Sequence, residues 1–218
     1  MVAHVPTVPV QDAPAPSHGR PDAFLLPLPE PAMPSLLGHA AAGLALHAAF
    51  TDGRAPRRAW ALAAACAMAP DLDWFTAFLH LPYGHCLTHR GATHSLAAAA
   101  LIASAAMLLG LRSHLRSPRL WLCLFAAAFS HGLLDACTLG GVGVAAFLPF
   151  SGERYVCVWQ PIRVSPIPLT GRLWVRFLGA LWTEAVWIGL PSLLLVTGTR
   201  AARLRAASRW GVPAPEHP

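Results

Sequence analysis

Soluble domains run at about 25% charged residues; this chain of 218 residues has 12%, with 55% hydrophobic. So little polar surface speaks against a globule in water and makes a bilayer the natural solvent for the excess. The formal charge of +6 comes from arginine alone, dispersed between apolar runs. That is not the continuous patch that would suggest a nucleic-acid partner, and none is expected.

Residues 1–34 are rich in proline and alanine and read as a flexible tail with no packed core. No basic region precedes the first apolar run, so a cleaved secretory signal is not expected. Five apolar stretches follow: Ser35 to Phe50, Ala59 to Ala69 with an extension to Leu79, Ser95 to Leu111, Leu120 to Leu134, and Leu173 to Val196. They predict an all-α fold, a polytopic transmembrane bundle of about five helices occupying residues 35–198, with a basic C-terminal tail over 199–218. A full span needs about 20 residues. Several runs are shorter, which keeps buried helices of a soluble protein open as an alternative. Between the last two helices, Leu139 to Arg172 carries Gly140, Gly141, Gly143, Pro149, Pro161, Pro166 and Pro168. Such a density interrupts helices and predicts an irregular loop over one end of the bundle, with a re-entrant portion as one option.

If the chain crosses at every run, Arg54, Arg57, Arg58, Arg112, Arg116, Arg119, Arg200, Arg203, Arg205 and Arg209 share one side. Arg20, Arg90, Arg154, Arg163, Arg172 and Arg176 share the other. The positive-inside rule makes the richer side cytoplasmic.

The same crossing pattern gathers a polar constellation at the opposite face. His39 lies near the start of the first run, and Asp71 and Asp73 close the second in Pro70-Asp71-Leu72-Asp73-Trp74. His89 and His94 open the third in His89-Arg90-Gly91-Ala92-Thr93-His94-Ser95; His131 and Asp135 end the fourth. His131 and Asp135 are four apart and share a helix face. Asp71 and Asp73 are two apart, which aligns side chains only in an extended segment, and Pro70 makes a local break plausible. His89 and His94 would diverge on a straight helix, but Gly91 allows the chain to fold so that both point inward. Imidazole and carboxylate suit a divalent metal, zinc first, with manganese or iron as alternatives, as one or two ions.

Each residue also has a plainer reading. The two aspartates would favour a following helix through its dipole, His39 would be a hydrogen-bonded interface residue, and His131 with Asp135 a structural pair. Thr93 and Ser95 read as helix caps. Glu184, midway along the fifth run, is an intramembrane ionisable group and so a functional candidate, as an extra ligand or an arginine's partner. His80 and His85 lie on the metal side, whereas His47 and His114 do not. Five cysteines (Cys66, Cys86, Cys123, Cys137, Cys157) form no repeating spacing and imply no disulfide framework. Cys66 and Cys123 read as packing groups; the other three could pair, bind metal or do neither.

The motifs Gly38-His39 with Gly43, Pro70-Asp71-Leu72-Asp73, His89 through Ser95, His131 through Asp135 with Thr138, and Pro149-Phe150-Ser151 with Arg154 resemble the YdjM-like family of inner-membrane metal-dependent hydrolases. The resemblance covers residues 35 to 196, and the His-Arg-Gly-x-Thr-His-Ser string is its most specific part. It implies a bacterial-type inner membrane and hydrolysis. The family is distantly similar to zinc-dependent phospholipase C and related nucleases, which suggests a phosphoester substrate, a membrane lipid or lipid-linked. The proline-rich N-terminal tail departs from the family pattern.

The expected chemistry is therefore hydrolysis by a metal-activated water, with ligands drawn from His39, Asp71, Asp73, His89, His94, His131 and Asp135. An aspartate outside the ligand set, Asp73 first, would act as general base. Arg90 and Arg154 would steady charge on a phosphoryl oxygen. The rival from another class is a metal-binding transporter or sensor without hydrolytic chemistry. An intramembrane metalloprotease ranks last, since no His-Glu-x-x-His helix is present.

Overall fold

The computed structural model describes residues 2–5, 35–51, 55–79, 81, 85–139, 143–164 and 173–210. Helix α1 (Leu36–Phe50) begins where the Ser35 hydroxyl accepts the Gly38 N–H at 3.3 Å and ends at an extended Thr51. Helix α2 (Arg58–Met68) passes directly into a 3-10 segment, Ala69–Leu79. Pro70 has no N–H to donate back to α2, and the chain tightens there rather than becoming extended. Helix α3 (Leu96–Gly110) is capped by Ser95, whose hydroxyl accepts Ala98 N–H at 3.1 Å. Helix α4 (Pro118–Ala136) starts with a Ser117 cap and a proline in its first turn, where a missing N–H costs nothing. The chain closes with a rod: α5 (Leu173–Glu184), one π turn (Ala185–Gly189) and α6 (Leu190–Trp210).

The fold is thus all-helical, apart from a two-stranded antiparallel ribbon of β1 (Val2–Val5) and β2 (Arg154–Cys157). This ribbon modifies the expectation of a structureless N-terminal tail: Val2 pairs with Cys157 and Val5 with Arg154. Residues 6–34, the rest of that expected tail, lie outside the described residues, as do 211–218 of the basic C-terminal tail.

Helices α1, α2 and α4 pack against one another; α3 lies on α4 and α2, and α6 on α1. The shared core is built from small residues at four-residue spacing: Ala59, Ala63 and Ala67 on α2, Ala99 and Ala103 on α3. Small residues let backbones approach closely. A Cβ at Gly43 would stand 2.7 Å from the Ala63 carbonyl oxygen, so α1 reaches α2 only because that position is glycine. Large apolar side chains point outward instead, Leu37 being 72%, Leu101 71% and Leu109 79% exposed.

The rod holds α1 at both ends. Glu184 accepts hydrogen bonds from the Ser35 N–H (2.6 Å) and the Ser35 hydroxyl, while Arg203 donates to the carbonyls of Ala48 (3.0 Å) and Ala49 (2.6 Å). An anion at the N-terminus and a cation at the C-terminus both oppose the charges of the helix dipole. The rod and α1 therefore run in the same direction, as an odd number of alternating helices requires. Glu184, expected as a ligand or an arginine's partner, is instead a cap.

The expected spans are not all of full length. Trp174–Arg209, at 36 residues, is long and apolar enough to cross a membrane. Helices α1 and α3 have 15 residues each. At about 1.5 Å per residue they rise about 22 Å, short of a hydrocarbon core of about 30 Å.

Candidate metal centre

Four separate elements deliver the site. Helix α1 brings His39, the 3-10 segment brings Asp71 and Asp73, the turn before α3 brings His89, Arg90 and His94, and the last turns of α4 bring His131 and Asp135. All but His89 are buried, and the His89 side chain is 20% exposed. The turn is shaped by its backbone. Arg90 has φ 65°, and a Cβ at Gly91 would lie 2.2 Å from the Cys86 carbonyl oxygen. A Cβ at Gly132 would lie 2.9 Å from the His94 carbonyl oxygen, so α4 passes directly beneath that turn.

The histidine protons can be assigned from their partners. His131 Nδ1 lies 2.7 Å from the carbonyl oxygen of Ala67, which can only accept, so Nδ1 carries the proton. His89 Nδ1 donates to Asp73 Oδ1 at 2.9 Å. The Thr93 hydroxyl gives its proton to Asp73 Oδ2 (2.6 Å) and therefore accepts from His94 Nδ1 at 2.9 Å. All three rings are thus held by the outer nitrogen and turn Nε2 inward, where a neutral imidazole would offer its lone pair to a metal.

Those inner nitrogens face carboxylates. His131 Nε2 lies 3.1 Å from Asp71 Oδ1, His94 Nε2 lies 3.2 Å from Asp135 Oδ2, and His89 Nε2 lies 3.9 Å from that same oxygen. At such distances either a proton on Nε2, as in the His131–Asp71 hydrogen bond, or a metal cation must lie between ring nitrogen and carboxylate. Asp71 Oδ2, both Asp135 oxygens, and the Nε2 atoms of His39, His89 and His94 are buried with no hydrogen-bond partner among the described residues. Unsatisfied buried polar atoms are costly, and here they converge.

Two overlapping donor sets result, each with ligand atoms within 4.8 Å of one another: Asp71, His89, His94 and Asp135, and His39, Asp71 and His131. Asp71 belongs to both, so a single carboxylate could serve two ions. His39 stacks on His131 with ring centroids 3.7 Å apart and nears Asp135 Oδ1 at 3.6 Å. Asp71, Asp73 and Asp135 bring three carboxylates to the site and Arg90 one guanidinium, its Nε 3.4 Å from Asp135 Oδ2. With neutral imidazoles a negative charge is left over, and a divalent cation would offset it. The donors fit such an ion in number, type and direction.

Six of the seven candidate ligands fall in these two sets. Asp73 does not, and 3-10 geometry gives the reason: residues two apart on a tight helix point to different sides. Asp71 faces the Nε2 atoms, while Asp73 faces the Nδ1 atoms, orienting His89 and His94 from behind. Its oxygens are occupied by donors, a poor arrangement for a general base. Arg154 is also one step removed. It donates through Nη1 to the carbonyls of Arg90 (3.3 Å) and Gly143 (3.1 Å) and so fixes the backbone that presents Arg90.

The inter-helix loop adds a strap that the motifs alone did not reveal. Ala145 N–H donates to the Arg90 carbonyl at 3.0 Å, and Leu96 N–H donates to the Ala146 carbonyl at 2.9 Å, pinning both ends of the histidine turn. A disulfide joins Cys137, two residues past Asp135, to Cys157 on β2. Thr93, expected as a cap, is instead the acceptor for His94; its place inside the histidine string was the available signal. Ser95 is the cap. His85 and Cys86 are exposed and stand outside both donor sets, and His80 lies outside the described residues.

A family model described as YdjM inner membrane protein matches residues 33–206. The inner membrane protein YbcI of Escherichia coli (strain K12) is 34% identical over 166 residues, 75% of this chain and 95% of that protein. No solved structure matches. The matched span contains every residue of the donor sets, the histidine turn and its strap; the chain belongs to the YdjM inner membrane protein family.

Proposed function

We propose that this membrane protein is a metal-dependent hydrolase, built as a polytopic bundle with its site at the end away from the arginine-rich turns. The observation that carries the reading is the set of three imidazoles, each tied down at Nδ1, whose Nε2 atoms converge on the carboxylates of Asp71 and Asp135. Second-layer acceptors of this kind orient metal-binding histidines and raise their basicity. A divalent ion, zinc in the first instance, would supply a Lewis acid able to activate water near neutral pH.

The chain's own residues divide the remaining work. His39, Asp71, His89, His94, His131 and Asp135 hold the ion or ions. Asp73 and Thr93 fix the imidazole tautomers. Arg90, beside Asp135, is placed to steady negative charge on a phosphoryl oxygen. His89 is the most open of the donors and marks the mouth. The exposed Leu72, Phe75 and Leu87 flank the site residues in sequence, which suits a lipid or lipid-linked phosphoester better than a free polar one. The outward leucines and buried alanines support the bundle reading, and the arginine asymmetry supports cytoplasmic basic turns. A transport pathway would need polar groups continuing along the bundle. Glu184, the foremost candidate, is occupied in capping α1.

The test is elemental analysis of detergent-purified protein, followed by a panel of phosphoesters with and without chelator. Bound metal with chelator-sensitive hydrolysis is expected. Stoichiometric metal with no turnover, joined to metal flux into liposomes, would favour the transporter.

A further inference from the structure

At the opposite end of the bundle, a cavity of about 630 Å³ opens between α3 and α4. Met107, Leu108, Leu115 and Trp121 give it apolar walls, and Ser104 and Arg116 give it polar edges. The Trp121 indole N–H donates to the Ser104 hydroxyl at 3.0 Å, which fixes the ring in the cavity wall. From there a ladder of stacked rings climbs α4. Trp121 lies on Phe125 with centroids 5.4 Å apart and 9° between planes, and Phe125 lies on Phe129 at 6.1 Å and 8°. All three rings are half-buried, so one side of the ladder faces outward along about 12 Å of helix. Between Asp73 and Asp135 the sequence contains no acidic residue, so the turn carrying Arg112, Arg116 and Arg119 has no carboxylate of its own.

We infer that this end of α3 and α4 is a binding site for an anionic phospholipid, with its headgroup phosphate on Arg116 and one acyl chain along Trp121, Phe125 and Phe129. Charge selects the occupant: a cationic edge above an apolar groove matches a negative headgroup above a hydrocarbon chain, and basic pockets between membrane helices take such lipids. A free phosphate would leave the apolar walls and the ladder without a partner. The site rests on membrane residence, which the family shows, and not on the proposed hydrolysis.

The experiment uses the full chain in phosphatidylcholine vesicles containing phosphatidylglycerol, with bromine placed on the acyl chains of one lipid or the other. The Trp121 contribution to fluorescence is the part lost in Trp121→Phe. Brominated phosphatidylglycerol is expected to quench that part about fivefold more than brominated phosphatidylcholine at equal mole fraction, the preference of one arginine for an anionic surface. Arg116→Gln should abolish the preference and Arg116→Lys should restore most of it, with unchanged helical circular dichroism and melting temperature as the check on folding. Equal quenching by the two lipids, or a preference that survives Arg116→Gln, overturns the inference. So does displacement by millimolar inorganic phosphate, which would mark a small-anion site.

Discussion

Asp73 Oδ1 receives the Nδ1 proton of His89 across 2.9 Å, while Asp73 Oδ2 receives the hydroxyl proton of Thr93, the acceptor of His94. One carboxylate therefore sets the tautomers of two rings without facing the centre. Asp71, two residues earlier, faces the Nε2 atoms. The two aspartates should separate cleanly on mutation. Asp73→Asn is expected to weaken metal binding by about 10–100-fold, the usual cost of losing an outer-layer partner. Asp71→Asn should remove binding beyond detection, since Asp71 belongs to both donor sets. Metal titration of the purified variants measures both, and equal losses would return Asp73 to the ligand set.

The turn that carries His89 depends on the absence of a side chain at Gly91. A Cβ there would sit 2.2 Å from the Cys86 carbonyl oxygen and 2.6 Å from that of Thr88. Both obstacles are backbone, so Gly91→Ala must move the turn. Overpacking of this kind costs about 1–3 kcal/mol. The expected outcome is a lowered melting temperature together with loss of metal. Gly152→Ala, with nothing within 4 Å of the added Cβ, is the matched control.

The cysteines divide by chemistry. Cys137 and Cys157 are bonded, Cys86 is free and exposed, and Cys66 and Cys123 are free and buried. A maleimide should label Cys86 first in the native protein, three thiols after unfolding without reductant, and all five after reduction. The cross-link closes a loop of 20 residues, which chain entropy values at about 3 kcal/mol. A Cys137→Ser, Cys157→Ser double variant should lose stability of that order. Five reactive thiols in the unfolded, unreduced protein would show that the bond does not form.

Glu184 separates capping from metal binding. It takes the Ser35 N–H and hydroxyl at the start of α1 and belongs to neither donor set. Glu184→Ala should lower the melting temperature through the lost cap, worth about 1 kcal/mol, and leave metal stoichiometry unchanged. Loss of metal without loss of stability would make it a ligand after all.

Much of this was legible in the sequence because it depended on composition and spacing. Low charge with long apolar runs specifies helices in an apolar solvent. Alternation then puts His39, Asp71, His89, His94, His131 and Asp135 at one end wherever the chain lies within that plane. His131 and Asp135 share a face by the four-residue rule alone.

Tertiary structure decided what depends on direction rather than location. Whether Asp73 is a ligand turned on the 3-10 segment Ala69–Leu79, where joint ligation by residues two apart would require an extended chain. Arg154 and Ala145 act through the Arg90 carbonyl and Ala146 through the Leu96 N–H, and no residue pattern encodes a contact with main chain distant in sequence. The Cys137–Cys157 pair and the capping of α1 by Glu184 likewise needed the distance between elements. Periodicity fixes which end of a helix a side chain occupies, but only packing fixes which atom it presents to its neighbour.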